Sequence, residues 1–244
     1  VRHDPIDPTL AGGGEPPAGP GWRRTRIFRD RAEAGRLLAG ELERLVRAPA
    51  IVAAIPPGGV AVAAPVVERL AVPLTVVYTR KLTVPWAPER AFGAVDEEGQ
   101  AVVDRTEASR LGLGPGEVET ISRRVVAEIE RQAALYRVPP LGRFLPGASV
   151  ILVDEGLATG FTMAAAVAYA RRRGAREVVV AAPCASARAA QFVGSLVDRL
   201  VALVVDDALV TVRAHYVDLA PLTDDAVVTV LERLGSRRPL EAAG

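Results

Sequence analysis

Two adjacent carboxylates, Asp154 and Glu155, end the apolar run Val150-Ile151-Leu152-Val153, and Gly156-Leu157-Ala158-Thr159-Gly160-Phe161-Thr162 follows at once. Paired acids accept hydrogen bonds from hydroxyls and bind hard cations directly or through their waters. The Gly/Thr run behind them has a different chemistry. Glycine lets backbone approach a ligand closely, Thr159 and Thr162 add hydroxyl donors, and backbone N–H groups leading into a helix start aim positive ends at one spot. The stretch therefore reads as one pole for a monophosphate beside another for a diol, which suggests a phosphosugar. A Walker A frame, G-x-x-x-x-G-K-[ST], and a G-x-G-x-x-G fingerprint are both absent, which excludes those two designs. A plainer alternative is an ordinary strand-end turn whose acids sit near a helix N-terminus.

Such a loop belongs at the carboxyl edge of an open parallel sheet, where α/β proteins bind ligands. The runs at 48–55, 74–79, 148–153, 177–182 and 199–205 lack polar alternation, as strands covered on both faces should. Stretches 59–70, 162–174 and 187–196 between them have the length of crossover helices. This predicts an α/β class with a central, mostly parallel five-stranded sheet flanked by helices. A first helix starts after Asp30 as N-cap, with Ala34, Leu37, Leu38, Leu42 and Leu45 at helical spacing. Residues 80–147 contain no obvious strand. There, 80–99 reads as a long excursion and lid candidate, and 116–137 as an amphipathic helix with Val118, Ile121, Val125 and Ile129 on one stripe. Gly- and Pro-rich residues 1–21 read as a flexible tail carrying a solvated His3, and 22–244 as a single domain.

The 30 basic and 29 acidic residues nearly cancel, so the totals argue for neither a nucleic-acid nor an anionic-membrane partner. Arg171-Arg172-Arg173 reads as a solvated helix end. Cys184 is the sole cysteine, which rules out an intrachain disulfide and points to a reducing, cytoplasmic home. No apolar run approaches the roughly 20 residues of a membrane span, and the start does not read as a secretory signal. No His/Cys cluster suggests zinc.

The order of four apolar residues, two acids, two spacers and Ala158-Thr159-Gly160-Phe161-Thr162 resembles the phosphoribosyl pyrophosphate (PRPP) motif of type I phosphoribosyltransferases. "IPPGGVAVAAPVVERL" looks like that family's pyrophosphate loop and helix, and "VVYTRKLTVPWAPERAFGAV" is similar to its next strand and mobile catalytic loop. "HYVDLAPLTDDAVVTVLER" resembles a bacterial subgroup of undefined substrate, and the likeness runs over residues 24–235. It implies a small hood and a mobile lid on the sheet. It also implies transfer of the phosphoribosyl group of PRPP, with Mg2+, to a small-molecule acceptor, a nucleobase or other nitrogen nucleophile, with release of pyrophosphate. Many relatives dimerise, so a homodimer is a candidate assembly.

On this resemblance Asp154 and Glu155 bind the ribose hydroxyls or waters of the metal and stabilise positive charge developing on the ring. Arg80 and Lys81 reach the pyrophosphate, Gly58 and Gly59 offer it amides, and Gly156, Leu157, Ala158, Thr159, Gly160, Phe161 and Thr162 form the loop for the 5-phosphate. Glu89 and Arg90 are weaker lid candidates, with mutual pairing as the alternative. Pro57 stands where the subgroup often has arginine, and Phe161 is large for a phosphate loop, so it either narrows the cradle or faces the core. Trp86 either stacks on a planar acceptor or packs. Ala158 replaces an aspartate base of some purine-using members, which makes purine salvage less favoured. Cys184 reads as a small buried side chain, and His215, Tyr216 and Asp218 as hood or packing residues. A PRPP or nucleotide sensor without turnover and a phosphosugar hydrolase are the alternatives.

Overall fold

The structure, a computed structural model, describes residues 3–4, 27–45 and 50–235. In chain order its elements are strand β1 (His3–Asp4), helix α1 (Arg31–Leu42), β2 (Ala50–Ala54), α2 (Gly58–Leu70), β3 (Leu74–Val76), β4 (Thr79–Leu82), β5 (Gly93–Asp96) and β6 (Ala101–Val103). There follow α3 (Arg105–Arg110), α4 (Pro115–Tyr136), β7 (Ser149–Val153), α5 (Phe161–Arg172), β8 (Glu177–Ser186), α6 (Ala187–Gly194), β9 (Arg199–Asp206) and α7 (Asp224–Gly235). Short 3-10 turns occupy Leu141–Phe144 and Val212–His215.

The five apolar runs form one sheet in the order β3-β2-β7-β8-β9, every neighbouring pair parallel. The central strand β7 explains why its sequence is uniformly apolar. Ile151 and Val153 point into the core layer shared with α1 and α2, while Val150 and Leu152 point into the layer under α5. Both faces are covered, so no position alternates to water. The chain runs from β2 through α2 to β3 on one side, and from β7 through α5 to β8 on the other. This reversal puts a crevice at the carboxyl ends of β2 and β7, the place where open α/β sheets bind ligands.

Two local expectations hold. The Asp30 carboxylate caps α1, accepting from the Glu33 amide at 2.7 Å. Helix α4 forms with Pro115 at its first position and the Glu117 carboxylate accepting from the Gly114 amide at 3.0 Å. Val118 and Ile129 of its stripe are buried, and Ile121 and Val125 are half-buried.

The stretch expected to lack strands is different. Residues 79–103 contain β4, β5 and β6, which pair antiparallel in succession and make a second sheet ordered β1-β6-β5-β4. These strands span three or four residues, too few for a period of two to register. The predicted strand 74–79 is also divided, since β3 ends at Val76 and Thr79 opens β4 in the other sheet. The lid candidate 80–99 is thus largely a hairpin. The expected tail lies outside the described residues except for His3–Asp4, whose backbone pairs in parallel with Ala101–Val102. Among the described residues no helix is long and apolar enough to cross a membrane.

Candidate active site

A cleft of about 1060 Å3 opens at the crevice. The stretch 154–160 after β7, the turn Pro56–Gly58, and Arg80 and Lys81 all line it. Of the residues assigned from sequence to the acid pair, the basic pair and the two glycine loops, all but Gly59 and Phe161 line it.

The loop after β7 owes its shape to Gly160, which adopts φ +83° and caps α5 without a side chain. The helix's backbone ladder begins with Ala164 donating to the Gly160 carbonyl at 2.8 Å, so the amides of Phe161, Thr162 and Met163 have no intrahelical acceptor. Those amides, with the positive end of the α5 dipole, form an anion cradle. The loop's other side is fastened to β8. Leu157 donates to the Cys184 carbonyl at 2.8 Å and accepts from the Ser186 amide at 2.9 Å, and the Ser186 hydroxyl donates to the Ala158 carbonyl at 2.8 Å. Leu157 has therefore spent its own N–H group, and its side chain is core. Phe161 turns away from the cradle, buried edge-on against Phe192 with ring centroids 5.9 Å apart, and does not narrow the loop.

The paired acids diverge. Asp154 is partly buried, and its Oδ1 accepts from the Glu155 amide at 2.7 Å. Burial, reinforced by the neighbouring Glu155 charge, pushes its carboxyl up to about 7, against the opposing pull of that amide, Lys81 and Arg31. The Glu155 Oε2 instead accepts from Arg31 Nε at 2.7 Å while the residue still lines the cleft. The Glu155 carbonyl accepts from the Tyr216 hydroxyl at 2.8 Å. Removing this bond by Tyr216→Phe is expected to cost about 1 kcal/mol in urea unfolding, because a partly buried carbonyl loses its donor. Cys184 is buried beside the same carbonyl, and burial with the nearby carboxylates pushes its thiol up to about 12, which keeps it protonated and inert.

Gly58 and Gly59 are explained by close approach. A Cβ on Gly58 would lie 2.0 Å from Glu155 Oε2, and one on Gly59 2.5 Å from the Val153 carbonyl oxygen. The Gly59 amide is used within the turn, donating to Ile55 at 2.9 Å. Lys81 is exposed, and Arg80 lies 3.9 Å from Glu128 of α4. Glu89 lines the cleft, but Arg90 pairs with Glu107 at 2.6 Å and not with Glu89. Trp86 is 69 % exposed and lies outside the cleft lining.

The arginine run forms an exposed helix end, as expected, and each member also has an acidic partner: Arg171 meets Asp198 at 2.8 Å, Arg172 meets Asp96, and Arg173 meets Glu98. His215 is buried with Nε2 3.1 Å from Asp206 Oδ2. Its neighbours pack against the segment that leads into α1: Phe28 donates to His215, Val217 to Phe28 and Asp218 to Arg29, all at 2.8 or 2.9 Å. Sequence reasoning missed Arg31, the α4 face with Arg124 and Gln132, and the stretch 210–213. Only Arg31 had a local signal, its place directly after the predicted N-cap, and that signal says nothing of a partner 124 residues away.

Comparison with known proteins agrees with this geometry. Residues 27–217 match the phosphoribosyl transferase domain. The chain is 35 % identical over 213 residues to the provisionally named phosphoribosyl transferase Rv0571c of Mycobacterium tuberculosis strain H37Rv, covering 85 % of this chain and 47 % of that protein. It thus spans about half the length of that relative. The crystal structure of TT1426 from Thermus thermophilus is 37 % identical, with a TM-score of 0.70, over 85 % of this chain and 99 % of that one. A parallel sheet with its crevice at β2 and β7, an acid pair leading into an anion cradle, and a domain match over most of the chain agree: this protein belongs to the type I phosphoribosyltransferase family.

Proposed function

We propose that this protein transfers the phosphoribosyl group of PRPP to a small-molecule nitrogen nucleophile and releases pyrophosphate. The observation that carries this reading is the placement of Asp154 between two differently built loops, the amide cradle at the start of α5 and the Gly58 turn at the start of α2. The 5-phosphate sits on the amides and hydroxyls of Ala158–Thr162, and the ribose extends from there toward Asp154. As the bond from C1 to the pyrophosphate oxygen breaks, its electron pair leaves with that oxygen and positive charge grows on the ring. A fixed carboxylate beside the ring stabilises that charge without reorganising. Lys81 and Arg80 supply positive charge in the cleft, where the leaving group is stabilised. The acceptor nitrogen then bonds to C1. Ala158 offers it no base, so the acceptor must shed its proton without a carboxylate at that position.

Mg2+ is the cofactor this reading implies. Among the described residues no three His, Cys, Asp or Glu side chains converge as a cage. The donor set fits a Mg2+ ion in the mode where one or two carboxylates, here Asp154 and the oxygen of Glu155 that Arg31 leaves open, join ligand phosphates and waters. An ion held there would supply positive charge to offset that of the departing pyrophosphate.

The test is pyrophosphate release from PRPP and Mg2+ across a panel of nucleobases and amines. Release that requires one class of acceptor is the expected result. Release with no acceptor identifies a hydrolase, saturable PRPP binding without release identifies a sensor, and absence of PRPP binding ends the reading.

A further inference from the structure

The acidic pair has a charged partner that no motif includes. Arg31, the first residue of α1, has a side chain only 12 % exposed and donates through Nε to Glu155 Oε2 at 2.7 Å. Its Nη1 donates to the Ala220 carbonyl at 2.9 Å. The segment 28–31 and the segment 215–220 are themselves joined by backbone bonds, and Tyr216 of the second bonds the Glu155 carbonyl. Glu155 is thereby held at its backbone and at its carboxylate by two stretches of chain distant in sequence. The third constraint is Gly58, whose missing Cβ leaves the space that Glu155 Oε2 occupies.

We propose that Arg31 is a positioning residue for the phosphoribosyl transfer described above, fixing one oxygen of Glu155 and leaving the other to the sugar or to a metal-bound water; the inference rests on that functional reading. The physical argument has three parts. Two neighbouring carboxylates without a counter-charge repel each other, and one guanidinium in direct contact cuts the local charge by one unit. A glutamate free to rotate loses rotamer freedom when a ligand captures it, and one already held loses less. A guanidinium is suited to this because its planar fork can serve a carboxylate and a carbonyl at once, which the point charge of lysine cannot do with the same geometry. Arg31 touches none of the reacting atoms. It acts through Glu155.

The test uses the full chain with Arg31→Met, Arg31→Lys, Glu155→Gln and the double variant Arg31→Met/Glu155→Gln. PRPP binding is measured by calorimetry at fixed Mg2+, pyrophosphate release is separated into kcat and KM, and thermal unfolding is recorded beside them. Arg31→Met is expected to weaken PRPP binding about tenfold, the scale of one lost charged hydrogen bond, with KM rising and kcat nearly unchanged. Arg31→Lys is expected to recover part of that loss. In the Glu155→Gln background Arg31→Met should add little, since its route of action is already gone. A purely structural clasp would lower the melting temperature and leave the split between KM and kcat unmoved, which overturns the inference, as do losses that simply multiply in the double variant. Should Arg31→Met fail to fold, Arg31→Lys with and without Glu155→Gln makes the same comparison. Wild type that binds PRPP no better than Arg31→Met overturns the inference alone, whereas wild type that does not bind PRPP overturns the functional reading and the inference together.

Discussion

Asp154→Asn is expected to slow pyrophosphate release by roughly two to three orders of magnitude, the usual loss when a preorganised electrostatic group is removed, and to make the folded protein more stable above pH 7. The two effects share one cause. The Asp154 carboxyl titrates near 7 in the folded protein, and at about 3.9 in an unfolded chain. Between those values the folded state keeps a proton that the unfolded state has released, so wild-type stability falls as pH rises from about 4 to about 7 and levels off above. Asparagine has no such proton to lose, and it can still accept from the Glu155 amide. The shift sets a ceiling of roughly 4 kcal/mol, and partial exposure of the site brings the expected gain at pH 8 to about 1–2 kcal/mol. Urea unfolding of both proteins at pH 4.5 and pH 8 measures it. Parallel pH profiles would mean that Asp154 ionises normally and that the cleft does not hold it in tension.

The second large effect concerns the seat of α2. Gly59→Ala places a methyl group 2.5 Å from the Val153 carbonyl oxygen and 3.2 Å from the Asp154 Cα, both backbone atoms of the central strand's end. Neither can swing aside, and the Gly59 amide is fixed by its bond to Ile55. The helix start must lift away, at a cost of about 3 kcal/mol, and the cleft opens with it. Gly58→Ala is the informative contrast. Its methyl group meets the end of the Glu155 side chain, which can move once it releases Arg31. A smaller drop in melting temperature is expected there, with weaker PRPP binding as the main loss. Equal melting temperatures for Gly59→Ala and wild type would overturn the close-approach argument.

The main sheet was legible because burial on both faces writes itself into composition: β2, β7 and β8 read as unbroken apolar runs wherever they are met. The turn into α5 was legible because Gly160, at φ +83°, is needed there for a local reason. What could not be read depends on distance along the chain. Strands β4 to β6 carry too few residues for periodicity, and their pairing is set by tertiary contact with α5 and α4. Gly58 and Gly59 were read as amide donors because a sequence displays the absence of a side chain and hides what occupies the vacated space. Phe161 offered two directions, and its choice depends on Phe192, which lies on another helix. The different surroundings of Asp154 and Glu155 rest on Arg31, whose pairing is invisible from either end.

The crevice between β2 and β7 also sets a scale. The two loops that face each other across Asp154 ride on adjacent strands joined in register from Ala50–Ser149 to Ala54–Val153. Adjacent strands keep a separation of about 4.8 Å fixed by their hydrogen bonds. The backbone ladder therefore fixes the spacing between the roots of the Gly58 turn and of the loop that leads into α5, on either side of Asp154. On the proposed reading, a change of acceptor would leave the gauge that spans the sugar untouched.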